Sequence, residues 1–167
     1  MLTIWKLFQL TDNAIIIPMK ILLASDHAGL ELKNKVKDFL ISEGFSVEDL
    51  GAHVMDREDD YPKIMIPVAM RIVNDPDQTK AIIFGKTGQG EAMVSNRFPG
   101  VRAAVYYSHN LEILRLSRLH NDANVLSIAA DFVNEDDARE AVRIWISTPF
   151  SDEERHVRRI SQMDNIQ

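Results

Sequence analysis

The chain has 167 residues, 46% of them hydrophobic, which predicts one domain with a substantial core. A net charge of -6 and a pI near 5.3 disfavour a basic surface for nucleic acid. The sequence has no cysteine, which excludes disulfides, thiolate metal sites and a cysteine nucleophile and is typical of a reducing cytoplasm. Its apolar runs, at 14–17 and 21–24, are much shorter than the ~20 residues of a membrane span, so we expect a cytoplasmic protein without a membrane partner.

The first 18 residues, MLTIWKLFQLTDNAIIIP, do not clearly show the basic start, long apolar centre or small-residue cleavage site of a signal peptide. We interpret residues 1–18 as an N-terminal extension and residues 19–167 as the domain.

From Lys20 onward, signals for strands and helices alternate. Short apolar runs predict five strands, at 21–25, 45–50, 81–84, 102–106 and 125–129. Helical spacing of apolar residues, a proline in a first turn and a cap at Asn134 predict the helices between and after them. The polar tail from Ser151 is expected to be helical in part.

This alternation predicts an α/β fold in which helices cover both faces of a five-stranded parallel sheet. Ligands of such sheets bind at the carboxyl ends of the strands. The candidate site residues are therefore those that follow a strand, at 26–27, 85–91, 107–110 and 130–131.

The loop after the third predicted strand reads FGKTGQGEAM, and its glycines expose backbone N–H groups that suit an anion or an oxyanion. Met93 stands where a dinucleotide-binding fingerprint needs a third glycine, and the Walker-type Lys-Ser/Thr is missing. The alternative interpretation is a tight turn in which Glu91 is a favourable acid in the first turn of a helix. The loop taken alone favours neither interpretation.

Three further segments carry weaker signals. Asp26-His27 pairs an acid with an imidazole after a strand, and HNDAN at 120–124 is equally typical of a turn. In RHVRR, Arg155 and Arg159 lie one helical turn apart and suit a phosphate, although the acids at 152–154 could simply pair with them.

Taken together, these segments resemble one family. MKILLASDHAGLELK, DDYP, GKTGQGEAMVSNRFPGVRAA, HNDANVL and RHVRRI occur in the order and spacing of the ribose-5-phosphate isomerase B family, which includes the LacA/LacB sugar-phosphate isomerases. The resemblance covers about residues 19–160. It implies a Rossmann-like three-layer fold, a homodimer or tetramer with active sites at the subunit interface, and aldose–ketose isomerisation of a phosphorylated sugar without metal or cofactor.

The resemblance also implies roles for single residues. Asp26 would assist ring opening, His27 would lie near the phosphate, and Tyr61 would line the sugar pocket. The enediolate would be stabilised by Thr87 and the loop amides, with the loop contributing Gly85, Lys86, Gly88, Gln89 and Gly90. His120 and Asn121 would come from the partner subunit or its edge, and Arg155 and Arg159 would bind phosphate.

Many relatives carry their catalytic base, a cysteine, at the position of Gly85, whereas others have glycine there and a glutamate after the last loop glycine. This sequence follows the second pattern, so the resemblance assigns the base to Glu91. A carboxylate whose pKa is raised by burial can perform this step.

Asp131 departs from the family, because relatives often carry a phosphate-binding arginine at this position. An acid there would repel a phosphate unless it faces away, and Lys86 is a possible replacement for the lost charge. Asp131 therefore leaves open whether the substrate is ribose 5-phosphate, another phosphorylated sugar, or a sugar that is bound differently. The alternatives are a non-catalytic subunit that binds a sugar phosphate, which the intact set of candidate residues disfavours, and a nucleotide-binding module, which Met93 disfavours.

Overall fold

The structure is a computed structural model that describes residues 19–166. The expected extension at 1–18 therefore lies outside the described residues. The strands are β1 (Lys20–Ser25), β2 (Ser46–Asp49), β3 (Thr79–Gly85), β4 (Ala103–Tyr106) and β5 (Val125–Ala129). The helices are α1 (Leu30–Ser42), α2 (Tyr61–Asn74), α3 (Gln89–Ser95), α4 (Leu111–Asn121), α5 (Glu135–Ser147) and α6 (Glu154–Asp164).

The five strands form one parallel sheet in the order β2-β1-β3-β5-β4. The predicted α/β class is confirmed, and the predicted strands all form, with ends that differ by one or two residues. β3 lies at the centre, paired with β1 and β5. The inner strands are almost continuously apolar because helices cover both of their faces.

The core has two layers, one on each face of the sheet, which follow the period-two alternation of side chains along each strand. Ile21 and Leu23 of β1 pack with residues of α1, α4 and α5, and Trp145 is the largest side chain in this layer. Leu22 and Ala24 point to the other face and pack with residues of α2. The expected three-layer architecture is therefore present.

Local signals explain where several helices begin and end. Gly44 follows α1 with a φ of 88°, a left-handed conformation that glycine adopts without strain. Pro62 occupies the first turn of α2. The side chain of Asn134 accepts a hydrogen bond of 3.0 Å from the backbone of Asp137 and caps α5, as predicted. Within the described part of the chain, no helix is long and apolar enough to cross a membrane.

The topology creates a crevice at the carboxyl edge of the sheet. β1 and β3 are neighbours, but α1 packs on one face of the sheet and α3 on the other. Loops that leave adjacent parallel strands toward opposite faces open a cleft between them. The segment Asp26–His27 and the glycine-rich loop 85–91 flank this cleft, so the fold brings two of the predicted segments together.

Candidate active site

The β1–α1 turn and the end of β3 touch directly. Gly29 lies so close to Phe84 that a Cβ on Gly29 would be 2.6 Å from the Phe84 backbone carbon. The Gly29 N–H donates a hydrogen bond of 3.1 Å to Asp26 Oδ1. Asp26 is only 8% exposed, so this turn holds a nearly buried carboxylate at the cleft.

Glu91 fills the space beside Gly85. A Cβ built on Gly85 would lie 2.0 Å from Glu91 Oε1 and 2.1 Å from Glu91 Cδ. These distances are far below any van der Waals contact, so a side chain at position 85 and the Glu91 carboxylate cannot share this space. The structure thus gives a steric reason why glycine at 85 accompanies glutamate at 91.

The environment of Glu91 differs from that of an ordinary acid in the first turn of a helix. Glu91 is 4% exposed, and burial raises the pKa of its carboxyl group. Its own backbone N–H lowers this pKa, and the nearby Asp26 carboxylate raises it. Burial likewise raises the pKa of Asp26, against the lowering effect of the Gly29 N–H. Two buried carboxyl groups with raised pKa values therefore lie near enough for the charge of Asp26 to affect Glu91, an arrangement common among acid–base catalysts.

Backbone contacts shape the loop before α3. Gly88 has a φ of 70°, and its carbonyl accepts a hydrogen bond of 2.6 Å from Ser127 Oγ of β5. A Cβ on Gly90 would be 2.8 Å from Tyr61 Cζ, so the Tyr61 ring lies directly against the loop. Thr87 Oγ1 accepts a hydrogen bond of 3.4 Å from the Gln89 backbone N–H, and both residues are exposed.

His27 is held by a residue that the sequence analysis did not assign. Asp59 Oδ2 accepts a hydrogen bond of 2.8 Å from the His27 backbone N–H, and Asp59 Oδ1 lies 2.6 Å from His27 Nδ1. Asp59 belongs to the DDYP motif, but its contact with a residue 32 positions earlier carries no local signal. Asp26, His27 and Asp59 have potential ligand atoms within 4.8 Å of one another. Hydrogen bonds already engage the side chains of all three.

A cavity of about 380 Å³ opens beside this histidine. It is lined by His27, Ala28, Glu31, Met55, Arg57, Lys86 and Asp131. Asp131 thus lies at the same cavity as the expected phosphate ligand and does not face away from it. Lys86 Nζ lies 3.7 Å from Asp131 Oδ2, so an ammonium group partly offsets the acid. Arg57, also missed by the sequence analysis, adds a second cation.

The remaining predicted residues lie at the amino edge of the sheet, where the amino ends of the strands are, opposite to the cleft. His120 and Asn121 end α4 just before β5 begins. The adjacent Arg102, before β4, donates from Nε to the Asn121 carbonyl at 3.0 Å, which places the end of α4 at the amino edge. The length of β5, roughly 16 Å at ~3.3 Å per residue, separates this edge from the cleft. A single chain does not bring His120 and Asn121 to Glu91.

Arg155 and Arg159 belong to the same region as His120. The His120 and His156 rings are in contact, with centroids 4.4 Å apart and planes tilted by 39°, and the buried His156 lies on α6 between the two arginines. Ser151 Oγ contacts His156 Nδ1 at 2.8 Å and holds this second histidine in place. Arg155 pairs with Glu153 at 2.9 Å, as the simpler interpretation expected. Within residues 19–166, Arg159 has no carboxylate within ion-pair distance.

The larger cavity, about 740 Å³, also lies at the amino edge. Residues 96–104, which lead into the first residues of β4, and residues at the ends of α4 and α6 line it. Of the predicted site residues it contains only Asn121. The buried carboxyl groups of Asp26 and Glu91 lie at the other edge of the sheet and do not line this cavity.

The sequence matches a known protein family along most of its length. Residues 21–163 match the family model described as Ribose/Galactose Isomerase. The chain is 39% identical over 142 residues to ribose-5-phosphate isomerase B of Mycolicibacterium paratuberculosis, an alignment that covers 85% of this chain and 87% of the relative. It is 31% identical over 147 residues to a putative sugar phosphate isomerase of Bacillus subtilis, covering 88% and 96% of the two chains.

Solved structures show the same relationship. The fold resembles ribose-5-phosphate isomerase B from Mycoplasma genitalium with bound ribulose-5-phosphate, with a TM-score of 0.82 and 34% identity. That comparison covers 87% of this chain and 93% of the other. The family match spans most of the chain and the similarity extends to sequence as well as fold. The chain therefore belongs to the Ribose/Galactose Isomerase family.

Proposed function

We propose that this sugar-phosphate isomerase interconverts an aldose phosphate and its ketose through an enediolate, with Glu91 as the base. The observation that carries the proposal is the Glu91 carboxylate, which is buried in the space that glycine leaves open at position 85. Ribose 5-phosphate and ribulose 5-phosphate are the first substrate pair to test, because the relatives above are named for that reaction.

The environment of Glu91 suits a proton shuttle between adjacent carbons. Burial raises the pKa of its carboxyl group, which makes the carboxylate a stronger base. The carboxylate takes the proton from C2 of the open-chain aldose, the C–H electron pair forms the C1=C2 bond, and the π electrons of the C1 carbonyl move onto O1, which gives the enediolate. The electrons of the C1=C2 bond then take the proton back from Glu91 at C1 as the electrons of O2 re-form a carbonyl at C2. The hydroxyl proton of O2 ends on O1, which yields the ketose.

Groups around Glu91 would support the other steps. Thr87 and the backbone N–H groups of the loop lie in the segment directly before Glu91 and would hold the developing oxyanion. Tyr61 packs on Gly90 and would form one wall for the sugar. Asp26, the neighbouring carboxyl group with a raised pKa, would exchange a proton during ring opening.

The separation of the two groups of residues supports a composite site between two subunits. One group, at the carboxyl edge, holds Asp26, His27 and Glu91, and the other, at the amino edge, holds His120 and the α6 arginines. A two-fold dimer would bring the carboxyl-edge group of each chain against the amino-edge group of its partner. Two equivalent sites would form in this way. Arg155 and Arg159 would then bind the phosphate from across the interface.

The Lys86–Asp131 pair bears on which sugar phosphate binds. The pair lies at the cavity beside His27, where an arginine in relatives would contribute one positive charge. Lys86 would supply a replacement cation, although Asp131 offsets part of it. We infer that the anionic end of the substrate is held chiefly by His27 on this chain and by the α6 arginines of a partner.

The test is a turnover assay across phosphorylated pentoses and hexoses with the wild-type protein and Glu91→Gln. Glutamine retains the shape of the side chain but not its basicity, so we expect turnover to fall by roughly 10²–10⁴ with substrate still bound. Deuterium at C2 should slow the wild-type enzyme if proton abstraction limits the rate. Binding without turnover by the wild-type protein on every sugar would favour the non-catalytic alternative.

A further inference from the structure

The segment between β2 and α2 makes a two-point contact with the residue that follows β1. Asp59 accepts from the His27 backbone N–H through Oδ2, at 2.8 Å, and contacts His27 Nδ1 through Oδ1, at 2.6 Å. We propose that Asp59 is a positioning residue that keeps the His27 imidazole charged and turned toward the cavity, where it binds the phosphate of the substrate. This inference rests on the proposed function, since it assigns a role in substrate binding.

The geometry determines which nitrogen can meet a ligand. A carboxylate only accepts hydrogen bonds, so the short contact requires a hydrogen on Nδ1. The ring is then fixed through its near nitrogen, and Nε2 is the nitrogen left for a ligand. The His27 side chain is 31% exposed and lines the 380 Å³ cavity, whereas the Asp59 side chain is 14% exposed and lies behind it. An anion can therefore reach His27 but not displace its partner easily.

The charges around His27 favour its protonated form. The hydrogen bond that the imidazole donates to Asp59 is the largest effect and raises the pKa of the ring, and the charges of Asp59 and Asp26 raise it further. Partial desolvation and the Arg57 guanidinium lower this pKa, but the net shift is upward. Glu31, Lys86 and Asp131 complete the charged lining of the cavity. A phosphate dianion would add to the upward shift, because it too stabilises the imidazolium.

A purely structural role is the competing explanation, in which Asp59 simply fastens its loop to the end of β1. The loop is already fastened elsewhere. Ser25 N–H donates to the Gly51 carbonyl at 2.6 Å, and the buried Lys33 Nζ donates to Asp49 at 2.6 Å and to the Ala52 carbonyl at 2.8 Å. These bonds anchor the start of the loop without Asp59. The second contact of Asp59, to the imidazole ring, is therefore better explained by its effect on the charge and orientation of His27.

The experiment compares Asp59→Asn with Asp60→Asn as the matched control. Asp60 is the adjacent acid, is exposed and pairs with Lys63 at 2.7 Å. The His27 pKa is measured by NMR titration of its ring protons, assigned by loss of the signal in His27→Gln. Binding of inorganic phosphate is followed on the same signals, and KM and kcat for ribose 5-phosphate are measured across pH.

In Asp59→Asn we expect the His27 pKa to fall, because the hydrogen bond to Asp59 is the largest cause of its upward shift. Phosphate affinity and 1/KM should fall roughly tenfold near neutral pH, with kcat changed far less, because one charge-assisted bond is lost. The loss should shrink as the pH drops below this pKa, where His27 is protonated without assistance. Asp59→Glu, which retains the charge, should recover part of the affinity, and Asp60→Asn should match wild type.

An unchanged His27 pKa in Asp59→Asn would overturn the inference. So would a loss of phosphate affinity that is equal at every pH, because a mere distortion of the loop predicts that result. The titration and the phosphate binding do not need turnover. A lowered His27 pKa with weakened phosphate binding in a protein that turns over no sugar would therefore sustain the role of Asp59 and count against the isomerase assignment alone.

Discussion

Gly85→Ala should abolish most of the activity while leaving the fold intact. A Cβ on residue 85 would lie 2.1 Å from Glu91 Cδ, whereas ordinary contacts begin near 3.4 Å, so the carboxyl group must withdraw by about 1.3 Å. The Glu91 carboxyl group is the end of a flexible side chain, so it can move without a shift of the backbone. Displacement of a reacting group by ~1 Å costs about 10²-fold in rate, and we expect a loss of that order in kcat.

Gly29→Ala is the matched contrast. Its Cβ would lie 2.6 Å from the backbone carbon of Phe84 and 2.7 Å from the Phe84 carbonyl oxygen. A strand backbone cannot move aside as a carboxyl group can, so this variant should lose stability first. The two variants are compared by thermal unfolding and by conversion of ribose 5-phosphate. Near-normal turnover in Gly85→Ala would refute the assignment of Glu91 as a closely placed base, and unfolding of Gly85→Ala at the temperature of Gly29→Ala would refute the claim that Glu91 moves freely.

Three further predictions concern Glu91, the interface and Asp131. Because the folded-state pKa of Glu91 is raised, its contribution to stability is present at low pH and is lost as pH rises through that pKa. Glu91→Gln should therefore unfold at a higher temperature than wild type near pH 7, with little difference near pH 4. Calorimetry at the two pH values measures these unfolding temperatures. If the site is composite, mixing inactive Glu91→Gln with an inactive Arg155→Ala/Arg159→Ala variant should restore about a quarter of the wild-type rate after subunit exchange. Half of the dimers would then be mixed, and each mixed dimer would carry one intact site out of two. No recovery of activity, or a monomer in sedimentation, would contradict the two-subunit site. Asp131→Arg should tighten the binding of ribose 5-phosphate by about 1 kcal/mol, a low value for such a contact because the Asp131 side chain is 48% exposed. Unchanged affinity in a binding titration would mean that the substrate anion binds elsewhere.

The sequence predicted those parts of the fold that depend on local pattern. The alternation of apolar strands with amphipathic helices was sufficient for the class of the sheet, and Asn134 marked the start of α5 correctly. The order of the strands was beyond such reasoning, because the insertion of β5 between β3 and β4 depends on contacts between distant segments. Strand ends differed slightly because hydrogen bonding to a neighbour, not hydrophobicity, decides where a strand stops.

The structure brings several predicted residues together at one edge of the sheet, but the residues that contact them could not be predicted from the sequence. Asp59, Arg57 and His156 act through contacts with other segments, and each is an unremarkable polar residue within its own stretch of sequence. His156, to which the sequence analysis gave no role, illustrates the point. It is buried against His120, and burial lowers the pKa of its imidazole. The arginines around it in RHVRR give no sign of this contact.

The candidate residues lie at two opposite edges of the sheet, and this separation determines how they could form one site. In a parallel sheet, a residue that precedes a strand and a residue that follows it lie at opposite edges, so HNDAN before β5 and DHAG after β1 cannot meet within one chain. If both serve one reaction, the chain must associate so that an amino edge faces a carboxyl edge. The base and its neighbouring carboxyl group then belong to one subunit and the α6 arginines to the other. A monomer would retain the buried Glu91 and its raised pKa but would bind the phosphate only through the mixed charges of the His27 cavity, so dissociation of the subunits should raise KM before it alters the chemistry at Glu91.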